Sequence, residues 1–197
     1  MPAVEQTSPE HALVIVTDRL VLRDFVASDL NAMLAYQSDP RYLRYYEQAR
    51  AERIAEDAHR LLQLFLDAQE KQPRIAFQLA MTLREDGKLI GNAGVRKESP
   101  EATEGDVGCE LAPDYWSWGY ATEATSAMLA FGFEQLGLHR ISASTMASNV
   151  GAWRVLEKLG MKREGELRET TLLAGGWANS VIYAILEQEW RARERRI

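Results

Sequence analysis

Two kinds of chemistry-bearing residue stand close together between positions 104 and 124. The run Trp116, Ser117, Trp118, Gly119, Tyr120, Ala121, Thr122 follows a short apolar segment broken by Pro113 and Asp114, and it leads into an Ala-rich stretch at helical spacing, residues 122–136. Where a loop opens directly into a helix, free backbone N–H groups meet the positive end of the macrodipole. Gly119 and Ala121 are small enough to let that backbone approach a ligand, and the natural guest is a pyrophosphate. On the preceding segment, residues 105–111, strand alternation puts Glu110 and Asp106 on one face.

The flanking chain supplies the elements that must position these groups. Residues 14–25 alternate loosely as a strand, interrupted by Thr17, Asp18 and Arg19, and Ser28 is placed to cap a helix that turns Leu30, Met33 and Leu34 inward. Residues 51–69 carry Ile54, Ala58, Leu61, Leu62 and Phe65 on one helical stripe. The period then changes to two: Ile75, Phe77, Leu79, Met81 and Leu83 alternate with Ala76, Gln78, Ala80 and Thr82. Asp86-Gly87 predicts a tight hairpin to a return strand, residues 89–96. After the loop and its helix, residues 140–145 read as a strand. Asn149 then caps a helix closed by Gly160, and residues 166–173 and 180–186 form a last hairpin around Gly175 and Gly176. Residues 1–11 read as a flexible leader, 191–197 as a charged tail, and 1–197 as a single domain with an ordered core of about 13–190.

Composition sets the remaining bounds. A chain of 197 residues, 46% hydrophobic and 26% charged, is ordinary for a soluble globular protein. Its formal charge of −6 argues against a nucleic-acid partner. There is no apolar run long enough for a bilayer and no secretory leader, which points to no membrane and a cytoplasmic setting. The lone Cys109 excludes an internal disulfide and reads as a small buried hydrophobe. His11, His59 and His139 lack metal-ligand spacing, so no metal is expected, and neither a Walker motif nor a dinucleotide fingerprint is present. Tyr36, Tyr42, Tyr45 and Tyr46 either wall a pocket or pack ordinarily.

The element order, together with Gly119 to Ala124, Asn149 followed by Glu157, Lys158, Leu159, Gly160 and Met161, and the opening Thr17, Asp18, Arg19, Leu20, Val21, Leu22, Arg23, resembles the GNAT N-acetyltransferase superfamily. It is most similar to the branch of ribosomal-protein N-terminal alanine acetyltransferases, over residues 14–190. The resemblance implies an α/β fold: a mainly antiparallel, mixed, twisted sheet splayed at its central strands and flanked by helices.

It also implies acetyl-CoA as donor, with the pyrophosphate on residues 117–122, a backbone N–H near Leu111 polarising the thioester, and direct attack by a primary amine of a peptide or small molecule. Asn149 would line the pantetheine or pyrophosphate side while capping its helix, and Arg154 either reaches a phosphate or is a solvated charge. Glu110 is the expected base, because an ammonium must lose a proton before it attacks; its alternatives are binding a cationic substrate or pairing with an arginine.

The chain departs from the family at four positions. Ser117 stands where a glycine is usual and Trp118 where a basic or amide residue is usual; Ala152 and Leu156 replace a serine and a tyrosine that would serve as acids. A thiol of pKa about 8.5 leaves tolerably without one. The missing acids motivate a rival reading, a non-catalytic acyl-CoA-binding protein. Trp116, Trp118, Trp177 and Trp190 exceed what one cleft needs and suggest a homodimer.

Overall fold

The computed structural model describes residues 3–7, 12–46, 53–173 and 175–194. Among these residues nine strands make one sheet in the order β1-β2-β3-β4-β5-β6-β7-β9-β8. They are β1 (Ala3–Thr7), β2 (Ala12–Val16), β3 (Leu20–Arg23), β4 (Ala76–Leu83), β5 (Leu89–Lys97), β6 (Glu104–Leu111), β7 (Arg140–Met146), β8 (Lys162–Leu173) and β9 (Gly176–Leu186). Every neighbouring pair is antiparallel except β6 and β7, which run parallel. The helices are α1 (Leu30–Gln37), α2 (Pro40–Leu43), α3 (Ile54–Glu70), α4 (Tyr120–Glu134), α5 (Val150–Lys158) and α6 (Glu187–Glu194).

The period of two in β4 divides its side chains between two cores. Leu79, Met81 and Leu83 join the core that α4 covers, while Ala80 faces the core built from Phe25, Met33, Tyr36, Tyr42 and Leu62 under α1 and α3. Phe25 stacks on Phe65 of α3 at 4.9 Å between ring centroids, so the apolar stripe of α3 fastens it to the sheet. Burying such a stripe is worth about 1.5–3 kcal/mol per large side chain.

The sheet opens at its centre. Strands β6 and β7 pair through Glu104↔Arg140, Gly105↔Ile141 and Asp106↔Ser142 only. Beyond that point β6 stays with β5 as far as Gly91↔Leu111, and β7 stays with β9 as far as Met146↔Ser180. Each border of the opening is therefore held by its outer neighbour.

Local expectations fail at five places. The residues read as a leader include β1, which pairs with β2 from Ala3↔Val16 to Thr7↔Ala12; residues 1, 2 and 8–11 lie outside the described ones. The strand expected over 14–25 is two strands, turned at Thr17, Asp18 and Arg19. Ser28 caps nothing: it lies in a 3-10 turn, Ala27–Asp29, where buried Asp29 accepts from Val26 N (2.9 Å) and from both Nη atoms of Arg23. The final hairpin is longer than its apolar segments because β8 continues through residues 162–165. The charged tail begins as α6, whose Trp190 is buried against Phe133 of α4 at 6.0 Å.

Candidate active site

The opening forms a cleft of about 940 Å³ bounded by β6, β7, the loop before α4, the start of α5 and the tyrosines after α1. Ala112 N donates to Ile90 O (2.7 Å), which sets the phase of the antiparallel ladder. Even-numbered residues of β6 turn their peptide groups to β5, and Val107, Cys109 and Leu111 turn theirs to the gap. Trp116 Nε1 takes up the Leu111 carbonyl at 2.8 Å; the Leu111 N–H remains directed into the cleft.

The loop reaches α4 through two left-handed residues, Ser117 (φ 67) and Gly119 (φ 86). Gly119 is the N-cap and has no side-chain acceptor to offer, so the first amides of α4, from Tyr120, Ala121 and Thr122, have no partner within the helix. Ser117, Gly119, Ala121 and Thr122 line the cleft. The side chains of Trp118 and Tyr120 do not: Trp118 is 68% exposed, and Tyr120 packs on Tyr115 with the Arg19 guanidinium 4.4 Å over its ring. Asn149 both caps α5, accepting from Ala152 N at 3.2 Å, and lines the cleft beside Arg154 and Lys158. The loop amides and the two cations bring anion-binding groups together on one side of the cleft.

Glu110 sits on the opposite wall with four donors among the described residues. Tyr36 Oη (3.2 Å), Gln37 Nε2 (3.0 Å) and Asn92 Nδ2 (3.0 Å) reach its Oε2, and Tyr46 Oη (3.2 Å) reaches Oε1. Three donors fill Oε2, and Oε1 keeps room to accept another proton. Asn92 is oriented in turn: Arg96 Nη1 donates to Gln78 Oε1 (2.7 Å), and Gln78 Nε2 donates to Asn92 Oδ1 (2.6 Å). Because an arginine only donates, this row fixes both amides with their N–H groups toward Glu110. Gln78 lies across Gly94, where a Cβ would come within 2.3 Å of its Oε1.

Arg96 pairs with Asp106, and among the described residues no arginine pairs with Glu110. Burial and then the Glu110 charge push the Tyr36 and Tyr42 hydroxyls up, so both stay protonated and Tyr36 remains a donor to Glu110. Tyr42, Tyr45 and Tyr46 line the cleft. The sequence left their role open and missed Gln37, Asn92, Gln78 and Arg96 altogether; the signal for the last three was polar residues on the inward face of otherwise apolar strands.

Cys109 is not buried in packing as its position on a central strand suggested. It lies on the gap side of β6, where no strand covers it, and its side chain opens on the cleft. Surrounding protein pushes its thiol up to about 12, with the Glu110 charge adding to this and Thr125 opposing it. Among the described residues no group of three or more His, Cys, Asp or Glu side chains gathers as a metal site. A second hollow lies at the β8 bulge, but there Glu166 and Asn179 already bond one another at 2.6 Å and Asn179 also accepts from Glu169 N.

Residues 19–162, which include both borders of the cleft, the loop and α5, match the acetyltransferase (GNAT) domain. The chain belongs to the GNAT acetyltransferase family. It is 35% identical over 177 residues to the uncharacterized N-acetyltransferase YnaD of Bacillus subtilis, covering 89% of this chain and 98% of that one. It is 24% identical over 180 residues to the Escherichia coli [ribosomal protein uS5]-alanine N-acetyltransferase, covering 89% and 92%.

A Bacillus anthracis GNAT acetyltransferase structure superposes with a TM-score of 0.72 at 28% identity, over 89% of this chain and 99% of the other. The Vibrio fischeri ribosomal-protein-S5-alanine acetyltransferase shares the fold, with a TM-score of 0.73 at 20% identity over 90% and 98%. The GNAT chain described here is thus an acetyltransferase on a sheet splayed between its central strands.

Proposed function

We propose that this GNAT enzyme transfers an acetyl group from acetyl-CoA to a primary amine by direct attack, with no covalent enzyme intermediate. The observation that carries the proposal is the parting of β6 and β7 immediately ahead of a left-handed loop whose helix amides are free. In this reading the amides of residues 117–122, with Asn149 and Arg154, hold the donor's diphosphate and arm. The thioester lies in the gap, where the Leu111 N–H stabilises the oxyanion that forms as the amine adds.

Glu110 receives the proton lost by the amine at Oε1, its less occupied oxygen. Addition of the amine to the carbonyl carbon forms the nitrogen–carbon bond and the oxyanion; as this adduct collapses the carbon–sulfur bond breaks, the nitrogen's second proton passes to solvent, and the thiolate leaves and takes a proton from solvent. The acceptor is a peptide N-terminus or a small amine held among Tyr42, Tyr45 and Tyr46, and the protein works in the cytoplasm as a homodimer. Among the described residues no helix is long and apolar enough to cross a membrane.

The test is release of free thiol from acetyl-CoA across a panel of peptides and small amines, with the products identified by mass spectrometry. Turnover on at least one amine is expected. Tight acetyl-CoA binding without turnover on any of them refutes catalysis on this acceptor class.

A further inference from the structure

Thr17, Asp18 and Arg19 do not line the cleft, yet Arg19 ends on the loop before α4. It forms the turn between β2 and β3, outside the cleft. Arg84 holds that turn from the far side, donating from Nη1 to the carbonyls of Thr17 and Asp18, both at 3.0 Å. From this fixed base Arg19 reaches three points on the loop and the first turn of α4. Its Nη1 donates to the Trp118 carbonyl (2.9 Å), its plane covers the Tyr120 ring, and its Nε and Nη2 each meet Glu123 Oε2 at 2.7 Å. Thr17 Oγ1 (2.6 Å) and the Arg19 amide (2.8 Å) complete the shell around the other oxygen of Glu123.

The contact with Trp118 has a geometric consequence for the next residue. In a trans peptide the C=O and the following N–H point in opposite directions. Tying the Trp118 carbonyl outward to Arg19 therefore turns the Gly119 N–H inward, toward the cleft that Gly119 lines. A free peptide at a left-handed glycine could flip at small cost; this one is held. The same guanidinium offsets the carboxylate of Glu123, which would otherwise oppose an anion at the start of α4. Burial pushes the Glu123 carboxyl up, but the bonds from Thr17 and Arg19 outweigh it and hold it low, so it remains charged and paired.

We propose that Arg19 is a positioning residue for the donor: from outside the cleft it fixes the Trp118–Gly119 peptide so that the Gly119 N–H meets the donor's diphosphate. This rests on the reading of residues 117–122 as the diphosphate site. Calorimetry with two probes separates the two ideas: CoA, and pantetheine, which ends before the diphosphate. If the parent binds both equally, the loop reading fails and this inference with it. If CoA binds much more tightly, Arg19→Met is expected to weaken CoA by about tenfold or more, the worth of one hydrogen bond to a charged group, and to leave pantetheine unchanged.

Arg19→Lys, which keeps one charged donor, should recover part of the loss. Glu123→Gln, which leaves the bond to Trp118 in place, should bind CoA nearly as the parent does. CoA affinity close to the parent's in a folded Arg19→Met, an equal loss for both probes, no recovery in Arg19→Lys, or an equal loss in Glu123→Gln would each overturn the role of Arg19 alone. Should Arg19→Met fail to fold, the parent labelled with 15N-glycine decides: CoA should move the Gly119 amide resonance downfield and pantetheine should not. A resonance that CoA leaves in place overturns the proposal.

Discussion

Replacing Glu110 by glutamine tests the base while leaving its surroundings intact, and the hydrogen bonds show why. The three donors on Oε2, from Tyr36, Gln37 and Asn92, oblige the glutamine oxygen to take that place. Its amide nitrogen then replaces Oε1, where the Tyr46 hydroxyl can rotate from donor to acceptor. No partner is orphaned. Bonds to a neutral acceptor are each weaker by about 1 kcal/mol than bonds to a charged one, and the several kcal/mol no longer spent on desolvating a carboxylate offset this loss.

The variant should therefore fold with stability within about 2 kcal/mol of the parent. Its rate should fall by about 10²–10⁴, the usual worth of a general base. The deficit should narrow as pH rises, because a growing fraction of the acceptor is already the free amine. Thiol release followed against pH, with a thermal melt as the fold control, measures both. A rate close to the parent's at every pH would leave Glu110 a binding or structural residue.

Gly119→Glu should abolish acetyl-CoA binding in calorimetry, since it puts a side chain and a charge at a left-handed position that lines the cleft; unchanged affinity in a folded variant removes the loop from the site. Ser117→Gly relieves a non-glycine residue at φ 67 and should stabilise the protein by about 0.5–1 kcal/mol, seen as a Tm rise of about 1–4 °C; a fall would show that the serine side chain contributes more than the strain costs. Cys109 opens on the cleft but its thiol is pushed up to about 12, so alkylation at pH 8 should run slower than for free cysteine and accelerate as pH rises; a rate like that of free cysteine refutes this. Light scattering should find two chains per particle; a single species at the mass of one chain would leave the exposed Trp118 and Trp177 without a shared interface.

What the sequence made legible was local. The alternation in β4, the Asp86-Gly87 turn, the cap at Asn149 and the small residues of the loop are each decided within a few residues, and the structure has them there. The errors came where a pairing outside the local motif decides. Ser28 has the right side chain for a cap, but the Arg23–Asp29 pair and the 3-10 turn take the position instead. Residues 191–194 look like a solvated tail until Trp190 finds Phe133, 57 positions earlier in the chain, and extends α6 beneath the sheet. The donors on Glu110 come from 74, 73, 64 and 18 residues away. No spacing rule connects them, and only the sheet register brings Asn92 opposite Glu110.

The short seam between β6 and β7 also has a mechanical side. Three rungs, Glu104↔Arg140 to Asp106↔Ser142, join the halves of the sheet along their backbones, and beyond them each half presents an unpaired edge to the other. A donor lying in that gap and bonding to both edges would act as a splint across that seam. Its grip would be counted in resistance to unfolding as well as in turnover: at a hundred times its dissociation constant a ligand of the native state adds about 2.7 kcal/mol. Saturation with the donor should therefore raise the temperature at which the two halves of the sheet come apart.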